Sequence, residues 1–287
     1  MPRRAACRRP WLRHHGAVSM TESTASLEET PPTHHRGGTV MALILLGLAA
    51  AIPILTAPAG RGAGASIDRC GIPPELTSLG APLPHTAHRL NAGQPLTIVA
   101  LGSSSTEGIG ATSPEFNYPS RLAAVLQARF PEVPIRVVNR GVSGELSPQM
   151  AARIDRDVLP EHPDLVIWQL GTNSVLHDVD PAAEVEVARR GIQRLKAAGA
   201  DVLLMDLQYA PAVLVHAEYR EMLHVLSGVA RSEDVPLFRR FAMMRHWAED
   251  GRMTLPVMLP GDRLHMSNAS YDCLARQVAR SIVLATR

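Results

Sequence analysis

Short, unbroken apolar runs alternate with amphipathic stretches through the last two thirds of the chain. LTIVAL (residues 96–101) is continuously apolar and stops at Gly102, the pattern of a strand buried on both faces. Residues 118–130 then repeat apolar side chains at helical spacing (Leu122, Val125, Leu126, Phe130). IRVVNR (135–140) predicts a second strand and residues 147–158 a helix. LVIWQL (165–170) and DVLLMDL (201–207) predict two more strands, with helices over 181–198 and 217–233. A short fifth strand at 236–238 and a closing helix over 267–286 complete the series. Parallel neighbours can be joined only by a crossover, so this alternation predicts an α/β fold: a mostly parallel sheet covered by helices on both faces.

The first third has a different pattern. Residues 1–38 mix Arg, His, Thr, Glu and Pro without any apolar period and read as a disordered basic tail. Residues 39–59, TVMALILLGLAAAIPILTAPA, carry no charge. At about 1.5 Å per residue, a helix of this length crosses a hydrocarbon core of roughly 30 Å, which predicts a single N-terminal hydrophobic helix acting as transmembrane anchor or signal sequence. Ala57-Pro58-Ala59 suits cleavage, whereas the length of the run suits an anchor, and both readings stay open. Met20 and Met41 offer alternative starts. Residues 60–93, rich in Gly, Pro, Ala and Ser, read as a linker onto a domain spanning 94–287. Because the arginines precede the apolar run, the domain is expected outside, in the cell envelope or periplasm, anchored or released.

Charge narrows the partners. The 29 basic and 27 acidic side chains give +2, but residues 1–38 alone hold six Arg and three Glu, leaving about −1 for the rest. A near-neutral domain with 4% aromatic residues has no nucleic-acid footprint. Three cysteines without C-x-x-C spacing make neither a disulfide scaffold nor a metal site. Outside the cytosol Cys70 and Cys273 can pair; the alternative is two unrelated cysteines, and spacing alone does not decide.

In such a sheet, ligands meet the carboxyl ends of the strands. The first strand runs into Gly102-Ser103-Ser104-Ser105-Thr106-Glu107-Gly108, the second into Asn139-Arg140-Gly141-Val142-Ser143-Gly144, and the third into Gly171-Thr172-Asn173; Asp262-Arg263-Leu264-His265 precedes the last helix. A serine hydroxyl needs a base within hydrogen-bond reach, and an imidazole base needs a carboxylate to fix its tautomer. A tetrahedral oxyanion needs preorganised donors, each worth roughly 3–4 kcal/mol. Serine, glycine amide, asparagine amide, aspartate and histidine are all present, in chain order. Each alone is a common turn, cap or loop residue.

Together the four segments resemble the serine, glycine, G-x-N and D-x-x-H blocks of the SGNH/GDSL hydrolase superfamily, over roughly residues 94–287. The resemblance implies a three-layer α/β/α fold and no metal or organic cofactor. It also implies Ser104 as nucleophile, His265 as base, Asp262 as orienting acid, and the Ser104 amide, Gly144 and Asn173 as oxyanion donors. Ser103 stands where the family has Asp, which leaves three adjacent serines whose assignment rests on register, and Ser174 replaces the Asp that often follows G-T-N. An α/β-hydrolase shares the order Ser, acid, His but expects G-x-S-x-G, and here Thr106 follows the serines. Among the other candidates, His85 and His88 fall in the linker, and His177, His216, His224 and His246 read as surface or helix-face residues. Trp168 and Trp247 read as core, and Glu107 and Arg140 as solvated charges beside the site. The expected function is hydrolysis of small O-acyl esters, such as acetyl groups on an envelope or extracellular carbohydrate. The alternatives are acyl transfer by the same triad and an inactive domain that binds glycan.

Overall fold

The computed structural model describes residues 68–287. The expected tail, the apolar segment 39–59 and the start of the linker lie outside the described residues. No helix among the described residues is long and apolar enough to cross a membrane.

Five parallel strands form one sheet: β1 (Leu96–Gly102), β2 (Ile135–Gly141), β3 (Leu165–Gln169), β4 (Asp201–Met205) and β5 (Leu237–Phe238), in the order β2-β1-β3-β4-β5. β3 is buried along its whole length, as its unbroken apolar run requires. Strand order reverses between β1 and β3. Right-handed crossovers therefore put the β1–β2 connection on one face and the later connections on the other. The first face carries α4 (Tyr118–Arg129), packed with the C-terminal α12 (Asn268–Ala285). The second carries α5 (Ser147–Ala152), α7 (Pro181–Ala197) and α9 (Tyr219–Ser232). The result is three layers. Trp168 of β3 fills the gap to α7 so closely that a Cβ on Gly191 would lie 2.2 Å from its ring.

Two expectations need correction. The described part of the expected linker is integral to the domain: α1 (Pro74–Thr77) and α2 (Pro84–Asn91) each begin at a proline in the first turn, where its missing N–H costs nothing. Leu79, Leu83 and Leu90 enter the core, and α2 ties the amino ends of β3 and β4 through Arg89 to Asp164 (2.8 Å) and Thr86 to Asp201 (2.8 Å). The single helix expected over 147–158 breaks at Arg153 into α5, a π turn (Ile154–Val158) and a 3₁₀ turn (Leu159–Glu161). A disulfide joins Cys70 to Cys273 on α12, with Cα atoms 4.9 Å apart.

Candidate active site

The strand order switches at β1, and the chain leaving β1 makes a tight turn. A Cβ on Gly102 would meet Thr106 Oγ1 at 2.1 Å, and one on Gly141 of the neighbouring strand would meet the Glu107 amide nitrogen at 2.0 Å. The turn opens the short helix α3 (Ser104–Glu107), which ends on left-handed Gly108 (φ +112°). The three serines separate cleanly. Ser103 and Ser105 are buried and donate their hydroxyls to Gln169 Oε1 at 3.0 and 3.3 Å, and the Ser103 amide donates to the same oxygen at 3.0 Å. Ser104 is half-exposed, and its Oγ lies 2.8 Å from His265 Nε2.

His265 Nδ1 lies 2.5 Å from Asp262 Oδ2. Asp262 Oδ1 accepts the Leu264 and His265 amides at 3.0 and 2.8 Å, which locks the D-x-x-H loop. Partial burial pushes the Asp262 carboxyl up, but the hydrogen bonds from the His265 amide and ring and from the Leu264 amide outweigh it and hold the carboxyl down at about 2. A charged carboxylate against Nδ1 leaves Nε2 free to accept the serine proton. The chain at left-handed Gly110 packs close against the D-x-x-H loop: a Cβ there would lie 2.5 Å from the Met266 carbonyl and 3.1 Å from His265 Cβ.

The oxyanion candidates sit beside this pair. The Val142 amide donates to the Gly102 carbonyl at 3.0 Å, so the glycine block lies along the serine turn. Glu107 grips the block by accepting both the amide (2.7 Å) and the hydroxyl of Ser143. Gly144 follows in the left-handed region (φ +79°), with open space where a side chain would stand. Asn173, on α6 (Thr172–Leu176), donates one Nδ2 hydrogen to the Glu145 carbonyl at 2.9 Å, and among the described residues no acceptor takes the second. Among the described residues no protein acceptor takes the amide hydrogen of Ser104 or Gly144. Idle donors at three converging segments are what a developing oxyanion needs.

The expectation for Glu107 and Arg140 is therefore corrected: neither is a free solvated charge. Glu107 fixes the glycine block, and Arg140 pairs with Glu161 and donates to the Asp157 carbonyl at 2.9 Å. His85 and His216 do have acid partners, Asp164 (2.9 Å) and Asp178 (3.0 Å). Asp164 precedes β3, at the opposite sheet edge from Ser104, so His85 plays no part in the site. Asp178, His216 and Glu218 form the group with metal-ligand geometry among the described residues, and the two carboxylates are exposed. Trp168 and Trp247 are fully buried.

Three supporting residues were not anticipated. Gln169 ends β3 with its Oε1 under the serine turn; a lone amide closing an apolar strand was the available signal. Glu184 of α7 is buried and accepts from Ser147 and from Ser174 (2.8 Å), which joins the start of α5 to the asparagine helix. Burial raises its carboxyl pKa, against the pull of the two hydroxyls. Arg240, at the start of α10 (Arg240–Glu249), is wholly buried and donates to Ser105 Oγ (2.9 Å), Thr172 Oγ1 (3.2 Å) and the Asp206 carbonyl (3.0 Å).

The fold, a five-stranded parallel sheet between two helical layers, matches the SGNH α/β fold. The chain belongs to the non-GDSL lipase-like family, whose profile matches residues 69–287. It is 35% identical over 85 residues to an acetylxylan esterase of Geobacillus stearothermophilus, covering 29% of this chain and 39% of that one. It is 31% identical over 117 residues to esterase TesA of Pseudomonas aeruginosa, covering 40% and 56%. These matches span about half or less of the relatives' own length. The crystal structure of Axe2, an acetylxylan esterase from Geobacillus stearothermophilus, superposes with a TM-score of 0.56 at 25% identity, covering 66% of this chain and 95% of that one.

Proposed function

We propose that this protein hydrolyses short O-acyl esters, chiefly acetyl esters of carbohydrate, with Ser104 as nucleophile, His265 as general base and acid, and Asp262 as the orienting carboxylate. The observation that carries the reading is the unbroken chain from Asp262 Oδ2 to His265 Nδ1 (2.5 Å) and from Nε2 to Ser104 Oγ (2.8 Å). As Oγ attacks the ester carbonyl, its proton passes to Nε2, and Asp262 stabilises the imidazolium. The oxyanion of the tetrahedral intermediate draws on the amides of Ser104 and Gly144 and the free Nδ2 hydrogen of Asn173. Collapse breaks the bond to the alcohol oxygen, which leaves with the proton from Nε2. Water, deprotonated by Nε2, then cleaves the acyl-serine and frees the acid.

The acetyl preference is supported by the setting of the serine. Ile109, whose amide bonds the Ser104 carbonyl at 3.0 Å, and Val142 are 42% and 43% exposed, a small apolar rim suited to a methyl group. The similarity to an acetylxylan esterase supports a carbohydrate alcohol. The openness of the site, with the Asp262 side chain 54% exposed, admits water and favours hydrolysis over transfer to a second alcohol. The idle oxyanion donors and intact proton chain argue against an inactive binding domain. We place the domain outside the cytosol, a reading supported by the Cys70–Cys273 disulfide and the arginines ahead of residues 39–59. The test is acetate release from an acetylated xylo-oligosaccharide by the wild type and by Ser104→Ala. Release by the wild type alone is expected, and equal release by both would overturn the assignment.

A further inference from the structure

A cavity of about 710 Å³ opens along the same sheet edge, beyond β4. On one side it is walled by Tyr209, Tyr219 and Phe241, with Phe241 meeting Tyr209 edge-on and Tyr219 face-on, each at 5.3 Å between centroids. Arg239 and Arg245 line it too, together with Asp206, a residue only 4% exposed. One oxygen of Asp206 accepts the Phe241 amide at 2.9 Å; among the described residues the other has no hydrogen-bond partner, and it is not sealed off inside the protein. A buried carboxylate with an unspent acceptor at a cavity wall is costly unless something meets it.

The lining restricts what that is. A hydrocarbon chain would desolvate Asp206 and two guanidinium groups without replacing their hydrogen bonds. An anion would face Asp206 and, beside Arg245, Glu249. A pyranose ring meets every feature: its C–H face suits the aromatic wall, and its hydroxyls donate to the carboxylate and accept from the arginines. Location also fits. Asp206 directly follows β4, two strands from β1, which is about 10 Å along the edge at the usual strand spacing. Gln208, from the same loop, donates to the Leu264 carbonyl at 2.7 Å, so the loop that carries Asp206 also braces the turn between Asp262 and His265.

The geometry points to this cavity as a sugar subsite that holds a ring of the polysaccharide remote from the acetyl group being cleaved. The inference rests on the carbohydrate-ester reading, and the experiment separates the two. Tyr219→Ala and the exposed Arg245→Ala are compared with the wild type on 4-nitrophenyl acetate and on an acetylated xylo-oligosaccharide. Each variant is expected to keep kcat/KM on the small ester and to raise KM on the oligosaccharide roughly fivefold to tenfold at unchanged kcat. Calorimetric binding of the unacetylated xylo-oligosaccharide is followed in parallel on Ser104→Ala alone and combined with Tyr219→Ala, with loss of binding expected in the double variant. Equal loss on both substrates would make the residues structural supports and overturn the subsite. Undetectable saccharide binding, or binding that survives Tyr219→Ala, would overturn it as well, even with ester hydrolysis at Ser104 intact. If instead the small ester is cleaved equally by wild type and Ser104→Ala, the hydrolase reading itself fails, whatever the binding shows.

Discussion

The guanidinium of Arg240 donates to the hydroxyl of Ser105 at 2.9 Å, one residue beyond the serine that faces His265, and the arginine has no exposed surface at all. Burial pulls its pKa down to about 10, still well above neutrality, so a cation sits beneath the serine turn at working pH. Its other bonds reach Thr172, next to Asn173, and the end of β4, so one side chain braces both halves of the site. Arg240→Met nearly keeps volume but removes the donor to the Ser105 and Thr172 hydroxyls and to the Asp206 carbonyl. Urea unfolding is expected to show a loss of about 3 kcal/mol, with kcat lowered in whatever folds. A loss under about 1 kcal/mol would contradict the bracing role.

The three serines make opposite predictions. Ser104→Ala should lower kcat on 4-nitrophenyl acetate by about five orders of magnitude, with the melting temperature little changed. Ser103→Ala and Ser105→Ala remove donors to Gln169 Oε1, so each should cost about 1 kcal/mol of stability while keeping measurable turnover. Loss of activity in Ser105→Ala comparable to that of Ser104→Ala would mean the wrong hydroxyl has been assigned.

The oxyanion donors are separable from the triad by kinetics. Asn173→Ala should reduce kcat about a hundredfold to a thousandfold with KM nearly constant, because the freed amide acts only on the developing charge. Gly144→Ala meets no steric barrier, but φ at +79° strains any L side chain by about 1 kcal/mol. Its modest loss should therefore appear in stability as well as in kcat.

These tests mark what the chain spells out and what it hides. The five strands are legible because unbroken apolar runs are local features, and the blocks that end them contain the Ser104, Asp262 and His265 side chains that the structure brings within hydrogen-bond reach. Among Ser103, Ser104 and Ser105 the flanking Gly102, Thr106 and Gly108 favour Ser104, and what the sequence hides is Gln169, which arrives from another strand and ties the other two down. Arg240 is invisible in sequence, since RRFAMMRHW contains three arginines and burial of one depends on where α10 docks. The Pro- and Gly-rich entry segment misleads for a related reason: prolines at helix starts look the same as prolines in a linker until Leu79 and Leu83 find the core.

The Cys70–Cys273 bridge closes a loop of 203 residues. On the chain-entropy model, that much cross-linking stabilises by up to about 5 kcal/mol. Cys273→Ser should thus lower the denaturant midpoint strongly, while kcat of the folded fraction on 4-nitrophenyl acetate stays at the wild-type level, since neither cysteine takes part in the hydrogen bonds that link Ser104, His265 and Asp262. An unchanged midpoint after full reduction would show that the entry segment docks through Leu79, Leu83 and Leu90 without needing the bridge.

Asp206 gives the fold a pH dependence of unusual sign for a carboxylate. Burial raises its pKa from 3.8 to about 7, and the Phe241 amide and the field of Arg240 only partly counter this. Between about pH 4 and 7 the native state holds the proton that the unfolded chain has already released, so stability falls as pH rises through that window and levels off above it. At 1.36 kcal/mol per unit the contribution is on the order of a few kcal/mol. Asp262 acts in the opposite sense but in a different window: its carboxyl, held at about 2, adds stability that is lost only as pH falls from about 4 towards 2. Asp206→Asn keeps an oxygen to accept the Phe241 amide and has no proton to lose. Its melting temperature is therefore expected to match the wild type near pH 4 and to exceed it progressively up to pH 8, followed by calorimetry at constant ionic strength. A difference that is flat with pH, or one that favours the wild type at high pH, would mean that Arg240 holds the buried carboxylate charged throughout.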